Sequence, residues 1–193
     1  MLKNILLIII STVFVNNIIL VKIIGICPFL GVSKKIENSI GMGLAVIFVT
    51  TAASSITWII QKVILEPFHI EYLQTLSFIL VIAAFVQLVE TVTKKISPGL
   101  YQALGIYLPL ITTNCAVLAA AVITIQKNLN FIETVIYAFG IGTGFTLALI
   151  IFAGIREQLE VADIPHSFRG TAIALITSGL LALAFLGFSG MVK

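Results

Sequence analysis

Six apolar segments, each about as long as a bilayer is thick, dominate this sequence. A membrane-spanning helix needs about 20 mostly apolar residues. Only 10% of the 193 residues are charged, whereas soluble domains carry about 25%. The sequence therefore predicts an all-α integral membrane protein with six transmembrane helices in a single membrane domain, residues 1–193. The predicted spans are 4–24, 39–60, 72–92, 101–124, 131–154 and 171–191.

The polar links between these spans are too short to hold a soluble domain. The first apolar segment has no small-residue cleavage site after it, so we expect a span and not a removed leader. Short cytoplasmic loops are enriched in Lys and Arg, and links one, three and five carry six such residues against four on the other side. We therefore expect those three links in the cytoplasm and both termini outside the inner (cytoplasmic) membrane. The six are Lys34, Lys35, Lys94, Lys95, Arg156 and Arg169.

The chain also looks doubled, with halves of about 1–97 and 98–193. Each half carries one cysteine, followed by a Gly-x-Gly pair in an apolar run: Gly41 and Gly43, then Gly142 and Gly144. Three spans per half require the two copies to be inverted in the membrane, and inverted repeats with broken helices place functional sites near the bilayer midplane. Chance similarity between two apolar sequences is the alternative.

The first interruption is the stretch GICPFLG, which contains Gly25, Cys27, Pro28 and Gly31. Proline removes a backbone donor and disfavours helical geometry at the preceding residue. We therefore predict a helix break around Cys27, with a half-helix that carries this thiol near its tip. The alternative is an ordinary interfacial turn that holds a packed thiol.

The second interruption is LPLITTNCAVLA, residues 108–119. Pro109 releases a carbonyl of the preceding turn, and the polar side chains of Thr112, Thr113 and Asn114 can satisfy freed backbone groups. This pattern predicts a second broken half-helix, at Cys115. A buried, inert thiol is the alternative, because free cysteine packs as a small hydrophobe.

Two thiols at two helix breaks favour a site for a soft metal. Thiolates suit iron–sulfur clusters, zinc or copper, and a [2Fe–2S] cluster takes four ligands. The chain has two cysteines, and its two histidines, His69 and His166, lie in links on opposite faces. A partner chain or a second copy must therefore complete the site.

Other motifs have simpler explanations. The glycines of GIGTG, residues 140–144, indicate close helix packing. Glu90 could bind a cation, but Lys94 four residues later makes a surface ion pair the simpler reading. The small net charge of +3 is spread over several links, so no nucleic-acid partner is expected.

Four stretches of the sequence resemble one family of membrane proteins. They are VKIIGICPFLGVSKKIE, LYQALGIYLPLITTNCAVL, YAFGIGTGFTLALI and AGIREQLEVADIPHSFRGTAIALITSGLLALAF. Together they are similar to the A-type membrane subunit of the Rnf complex, and also to the related E subunit of the Na⁺-translocating NADH:quinone reductase. The cysteine motifs are the specific part of this likeness, which covers nearly the whole chain.

The resemblance implies a fold, a cofactor and partners. It implies six spans in two inverted halves, paired with a homologous E-type sister subunit of opposite topology. Each sister would give two cysteines, here Cys27 and Cys115, to one shared [2Fe–2S] cluster. Its potential would be tuned by nearby groups, for which Gly25, Thr112, Thr113 and Asn114 are the candidates.

The resemblance also implies a reaction. The complex would move electrons between reduced ferredoxin and NAD⁺, coupled to Na⁺ or H⁺ transport. Further subunits of the B, C, D and G types would carry the flavins and the other iron–sulfur clusters. Two alternatives stay open, a secondary transporter with inverted repeats and a packing subunit without chemistry of its own.

Overall fold

The computed structural model describes residues 7–68, 70–96, 108–162, 165 and 170–190, which form helices joined by turns. The helices are α1 (7–15), α2 (Ile26–Val32), α3 (Ile36–Phe68), α4 (Gln74–Ile96), α5 (Leu108–Thr112), α6 (Cys115–Gln126), α7 (Phe131–Val161) and α8 (Thr171–Leu186). Helix α1 is π-helical over Ser11–Val15, and α3 ends in a π-helical stretch, Gln61–Leu65, followed by a last turn.

Three of these helices, α3, α4 and α7, are long and apolar enough to cross a membrane. They coincide with the predicted spans 39–60, 72–92 and 131–154. The predicted span 171–191 corresponds to the shorter apolar helix α8, which is followed by a 3₁₀ turn, Gly187–Gly190. The predicted class, an all-α protein with several apolar membrane helices, is confirmed at this level.

The first predicted span, 4–24, is wrong as a continuous helix. Helix α1 ends at Val15, and the buried amide of Asn17 accounts for this. The Asn17 Nδ2 atom donates to the carbonyl oxygens of Val13 (3.0 Å) and Gly144 (2.8 Å). Its Oδ1 atom accepts from the amide nitrogens of residues 19 and 20, at 3.1 and 3.3 Å. The side chain thus satisfies backbone groups that the broken helix leaves free in an apolar surrounding.

Two predicted links are partly helical. Helix α3 continues through QKVILEPF as far as Phe68, and Lys62 there pairs with Glu66 at 2.6 Å, one turn later. Helix α7 likewise continues through REQLEV to Val161. Both stretches contain Leu, Gln, Glu and Lys or Arg, which are good helix formers, so the polar residues marked the end of the apolar span but not the end of the helix. His69 and His166, which were assigned to these links, lie outside the described residues.

Helices α3 and α7 form the centre of the fold and cross at their glycines. A Cβ atom added to Gly142 would lie 2.8 Å from the Cα atom of Ile47, and one added to Gly43 would collide with the side chain of Thr146. Each glycine therefore meets the residue four positions after the other glycine, which makes the pair antiparallel. The prediction of close packing at GIGTG is confirmed.

Contacts at the two ends of the α3–α7 pair show which of the links between the predicted spans lie at the same end. At one end, Arg156 of α7 donates to the carbonyl oxygen of Leu30 and the hydroxyl of Ser33, both at 2.8 Å. At the other end, the Trp58 indole donates to the carbonyl oxygen of Leu129 at 3.0 Å. Links one and five thus lie together, and so do links two and four, as the predicted alternation of spans requires.

Candidate metal centre

The first break in the chain lies directly before Cys27. Gly25 has φ +90° and ψ 29°, a left-handed conformation that glycine adopts without strain, and α2 begins at the next residue. Cys27 is therefore the second residue of a short helix, close to the tip position that the sequence predicted. Its own backbone is helical, and the break that the sequence predicted around Cys27 lies directly before this helix. Pro28 is compatible with this because the first helical turn leaves its amide groups unpaired anyway.

The second break lies directly before Cys115. Helix α5 ends at Thr112, and Asn114 caps α6 from its extended backbone. The Asn114 Oδ1 atom accepts from the amide nitrogen of Ala116 at 2.9 Å, and its main-chain oxygen accepts from that of Val117 at 3.1 Å. The predicted broken helix is confirmed, with Pro109 inside α5 and Cys115 as the first residue of α6.

The two breaks touch each other. A Cβ atom added to Gly25 would lie 3.1 Å from the Ala116 Cβ atom and 3.4 Å from the Asn114 Oδ1 atom. Ala116 and Asn114 are the two neighbours of Cys115, and Gly25 precedes Cys27 by two residues. Of the four predicted tuning residues, the structure thus brings Gly25 and Asn114 into contact. Thr112, which is half-buried, and Thr113, which is exposed, flank the same cap.

Both thiols are free and exposed on the surface of the chain. Both neighbours of Cys115, Asn114 and Ala116, are buried, whereas Cys27 lies between the exposed Ile26 and the buried Pro28. A cysteine that packs as a small hydrophobe is among the most buried residues of a protein. The structure thus shows neither cysteine buried among other side chains of this chain.

The donor set fits half of a thiolate-bound cluster. The chain contains two cysteines, and the described residues hold no group of three or more His, Cys, Asp or Glu side chains that could enclose a metal by themselves. A [2Fe–2S] cluster takes four cysteine ligands, so two accessible thiols at touching helix breaks match a site that a second chain completes.

Arg156 was placed in a link by the sequence but supports the Cys27 helix. Its guanidinium donates to the Leu30 carbonyl oxygen near the end of α2 and to the hydroxyl of Ser33, which is fully buried. One turn earlier on α7, Phe152 stacks on Phe29 of α2 with the ring centroids 4.3 Å apart. These contacts fix α2 against the central helix pair and so fix the position of Cys27.

Asn17 is the second residue whose role the sequence analysis missed. Its signal was present, since two adjacent asparagines, at 16 and 17, interrupt an otherwise apolar run. In lipid, polar amides of this kind are found where backbone groups need partners. The sequence contains no comparable signal for Arg156. A basic residue at the end of a span indicates only the membrane interface, and the partners of Arg156 are more than 100 residues away in sequence.

Taken together, the apolar helices, the two capped breaks and the exposed thiols define a class: a membrane protein whose interrupted helices carry exposed cysteines. Comparison with known proteins agrees that this is a membrane protein. The family described as "Rnf-Nqr subunit, membrane protein" matches residues 5–192. The chain therefore belongs to the Rnf-Nqr family of membrane subunits.

Similar proteins within this family cover nearly the whole chain, and each is named as the A-type component of its complex. The one from the ion-translocating oxidoreductase complex of Syntrophotalea carbinolica is 58% identical over 190 residues, 98% of each chain. The one from the Na(+)-translocating ferredoxin:NAD(+) oxidoreductase complex of Acetobacterium woodii is 60% identical over 184 residues, 95% of this chain and 96% of that one. The one from the ion-translocating oxidoreductase complex of Vibrio vulnificus is 58% identical over 187 residues, 97% of each.

Proposed function

We propose that this chain is the A-type component of an ion-translocating ferredoxin:NAD⁺ oxidoreductase complex and carries electrons through the membrane. The observation that supports this most directly is the 57–60% identity, over nearly the full length, to proteins named as the A-type components of ion-translocating oxidoreductase complexes. The nearest alternative is the E subunit of the Na⁺-translocating NADH:quinone reductase, which the sequence also resembles. The relatives reported above are named as A-type components and not as that E subunit. The coupling ion is Na⁺ or H⁺, and the relative from Acetobacterium woodii is named for Na⁺.

The electron carrier in this proposal is a [2Fe–2S] cluster held half by Cys27 and Cys115. Such a cluster takes up and releases single electrons when bound. The chain contributes two cysteine ligands from the first turns of α2 and α6. Exposure of both thiols leaves access for the two cysteines of a second chain.

That second chain is, in this proposal, the homologous E-type sister subunit of opposite topology. Two features support the inverted halves that such a pairing involves. Gly43 and Gly142, which are 99 positions apart, make reciprocal contacts across the α3–α7 crossing. Asn17 and Asn114, which are 97 positions apart, both cap the segment that follows them through the side-chain oxygen. These two pairs have nearly the same offset, while the two cysteines are 88 positions apart.

The remaining parts of the proposal concern the assembly. The complex lies in the inner (cytoplasmic) membrane, with both termini of this chain outside. Subunits of the B, C, D and G types bind the flavins and the other iron–sulfur clusters. This chain supplies no catalytic side chain for hydride or ferredoxin chemistry and serves as a conductor between subunits.

The test is to purify the intact complex with Cys27→Ser, with Cys115→Ser, and with the control Gly31→Ala. Gly31 lies in the same helix as Cys27, and an added Cβ atom meets only Leu110 there, at an ordinary 3.5 Å. We expect each cysteine variant to lose two iron atoms and one paramagnetic [2Fe–2S] signal while the flavin content of the complex stays unchanged. Full iron content and normal ferredoxin:NAD⁺ turnover in both cysteine variants would refute the assignment and favour a transporter or packing subunit.

A further inference from the structure

We propose that the side-chain amide of Asn114 donates a hydrogen bond to sulfur at the Cys27–Cys115 site and thereby raises its reduction potential. Asn114 is a positioning residue in this scheme, because it acts on the ligands and not on a substrate. The inference rests on the proposed function, since it requires a cluster at this site. Of the four residues predicted to tune the potential, it selects Asn114 and assigns the effect to its Nδ2 atom.

A comparison of the two capping asparagines carries the argument. Both are buried, Asn17 to 0% exposure and Asn114 to 3%. The Oδ1 atom of each accepts from the amide nitrogen two residues later. The Nδ2 atom of Asn17 has two acceptors, the carbonyl oxygens of Val13 and Gly144. The Nδ2 atom of Asn114 is also buried but has no hydrogen-bond partner among the described residues.

The orientation of the Asn114 amide is fixed by its cap. Oxygen and nitrogen of an asparagine are usually assigned from the hydrogen-bond network, and here the Ala116 N–H must face an acceptor, at 2.9 Å. The nitrogen therefore occupies the other branch and needs an acceptor of its own. A buried donor without a partner is destabilising, and a serine would supply the cap oxygen without leaving such a donor.

The acceptor in this proposal is sulfur of the bound cluster, because no described group, either thiol included, accepts from Nδ2 in this structure. Cys115 is the following residue, and Cys27 lies two residues after Gly25, whose backbone is close enough that an added Cβ atom would lie 3.4 Å from the Asn114 Oδ1 atom. Gly25 has no side chain and so cannot supply a side-chain acceptor itself. Hydrogen bonds to cluster sulfur are a principal control of the reduction potential. They favour the reduced state because reduction increases the negative charge on sulfur.

The test compares variants of the intact complex in a redox titration followed by electron paramagnetic resonance. Asn114→Ser keeps a capping oxygen and removes the amide. The control is Asn130→Ser, which changes the exposed capping residue of α7. The neighbouring residue Leu129 contacts Trp58 at the end of the helix pair opposite the Arg156 contacts, so the control lies far from the cysteines. For Asn114→Ser we expect full iron content and about a tenfold lower ratio of reduced to oxidised cluster at a given potential, which is about 59 mV for one electron. The control should match the wild type.

A second measurement covers the case in which Asn114→Ser does not assemble. In wild-type complex labelled with ¹⁵N-asparagine, hyperfine spectroscopy of the reduced cluster should detect one coupled asparagine nitrogen, and Asn114→Asp should abolish the coupling. An unchanged potential in Asn114→Ser with full iron content, or no asparagine coupling in the labelled wild type, would overturn the proposal. Such a result differs from failure of the proposed function, in which the wild-type complex would show no cluster that depends on Cys27 and Cys115.

Discussion

Replacing Gly25 by alanine should separate the two cysteine-bearing breaks. The residue holds φ +90° directly before α2, and its Cα faces Ala116 and Phe145. A methyl group placed there would lie 3.1 Å from the Ala116 Cβ atom and 3.2 Å from the Phe145 Cε2 atom. Both distances are shorter than ordinary carbon–carbon contact at about 3.5–4.0 Å, so the segment that leads to Cys27 must move.

The cost has two parts. A side chain in the left-handed region costs about 1–2 kcal/mol, and overpacking a well-packed core costs about 1–3 kcal/mol. Even the lower sum, about 2 kcal/mol, shifts the equilibrium between a seated and a displaced segment by about 30-fold, since about 1.4 kcal/mol is tenfold. We therefore expect substantial loss of the cluster from Gly25→Ala complexes, together with a lower melting temperature.

The assay is the iron content and the paramagnetic signal per complex, with Gly31→Ala as the matched control. Gly31 lies in α2 itself, where a new methyl group meets only the Leu110 side chain at 3.5 Å. Alanine in a helix interior is about 0.5–1 kcal/mol more favourable than glycine, so the control should be neutral or slightly stabilised. Equal iron content and equal stability in the two variants would refute the idea that Gly25 seats the Cys27 segment against Cys115.

Two further predictions concern the supports of the site. Arg156→Met removes the charged hydrogen bonds to the Leu30 carbonyl oxygen and the Ser33 hydroxyl, each worth about 1.5–3 kcal/mol. We expect a lower melting temperature and partial loss of iron from the complex. An unchanged melting temperature and iron content would contradict the role of Arg156 in holding α2. Gly142→Ala, whose methyl would meet the Ile47 backbone at 2.8 Å, should cost about 1–3 kcal/mol in detergent unfolding. Gly154→Ala on the same helix has open space and should gain up to about 1 kcal/mol; equal stabilities would contradict the crossing geometry.

Local chemistry made the two breaks predictable from the sequence. Glycine before Cys27, and threonines with asparagine before Cys115, are residues that either adopt unusual backbone angles or satisfy free backbone groups. The second break lies directly before Cys115, where it was predicted. The first break ends directly before the Cys27 helix but begins after Val15, well ahead of the predicted place. Proline in a first helical turn is compatible with the helix, so Pro28 does not interrupt it.

Long-range contacts were not predictable in the same way. Nothing in the sequence pairs Arg156 with Leu30, or Asn17 with Gly144, because these residues are more than 120 positions apart and each has an adequate local explanation. The helical extensions to Phe68 and Val161 were missed for a related reason. Hydropathy marks where a chain leaves the lipid, while the helix ends only where its backbone geometry changes.

The long helix α7 explains how one chain can fix the positions of the two breaks relative to each other. Gly144 of α7 faces α1, and its main-chain oxygen accepts from the side-chain amide of Asn17. The next residue, Phe145, faces Gly25. Two turns further on, Phe152 stacks on the Cys27 helix, and Arg156 fixes the end of that helix. The second break reaches the same helix indirectly, because Asn114 and Phe145 both contact Gly25. One long helix linked to both thiol-bearing segments is what a shared site requires, since ligands must be held within about 0.5 Å of their working positions.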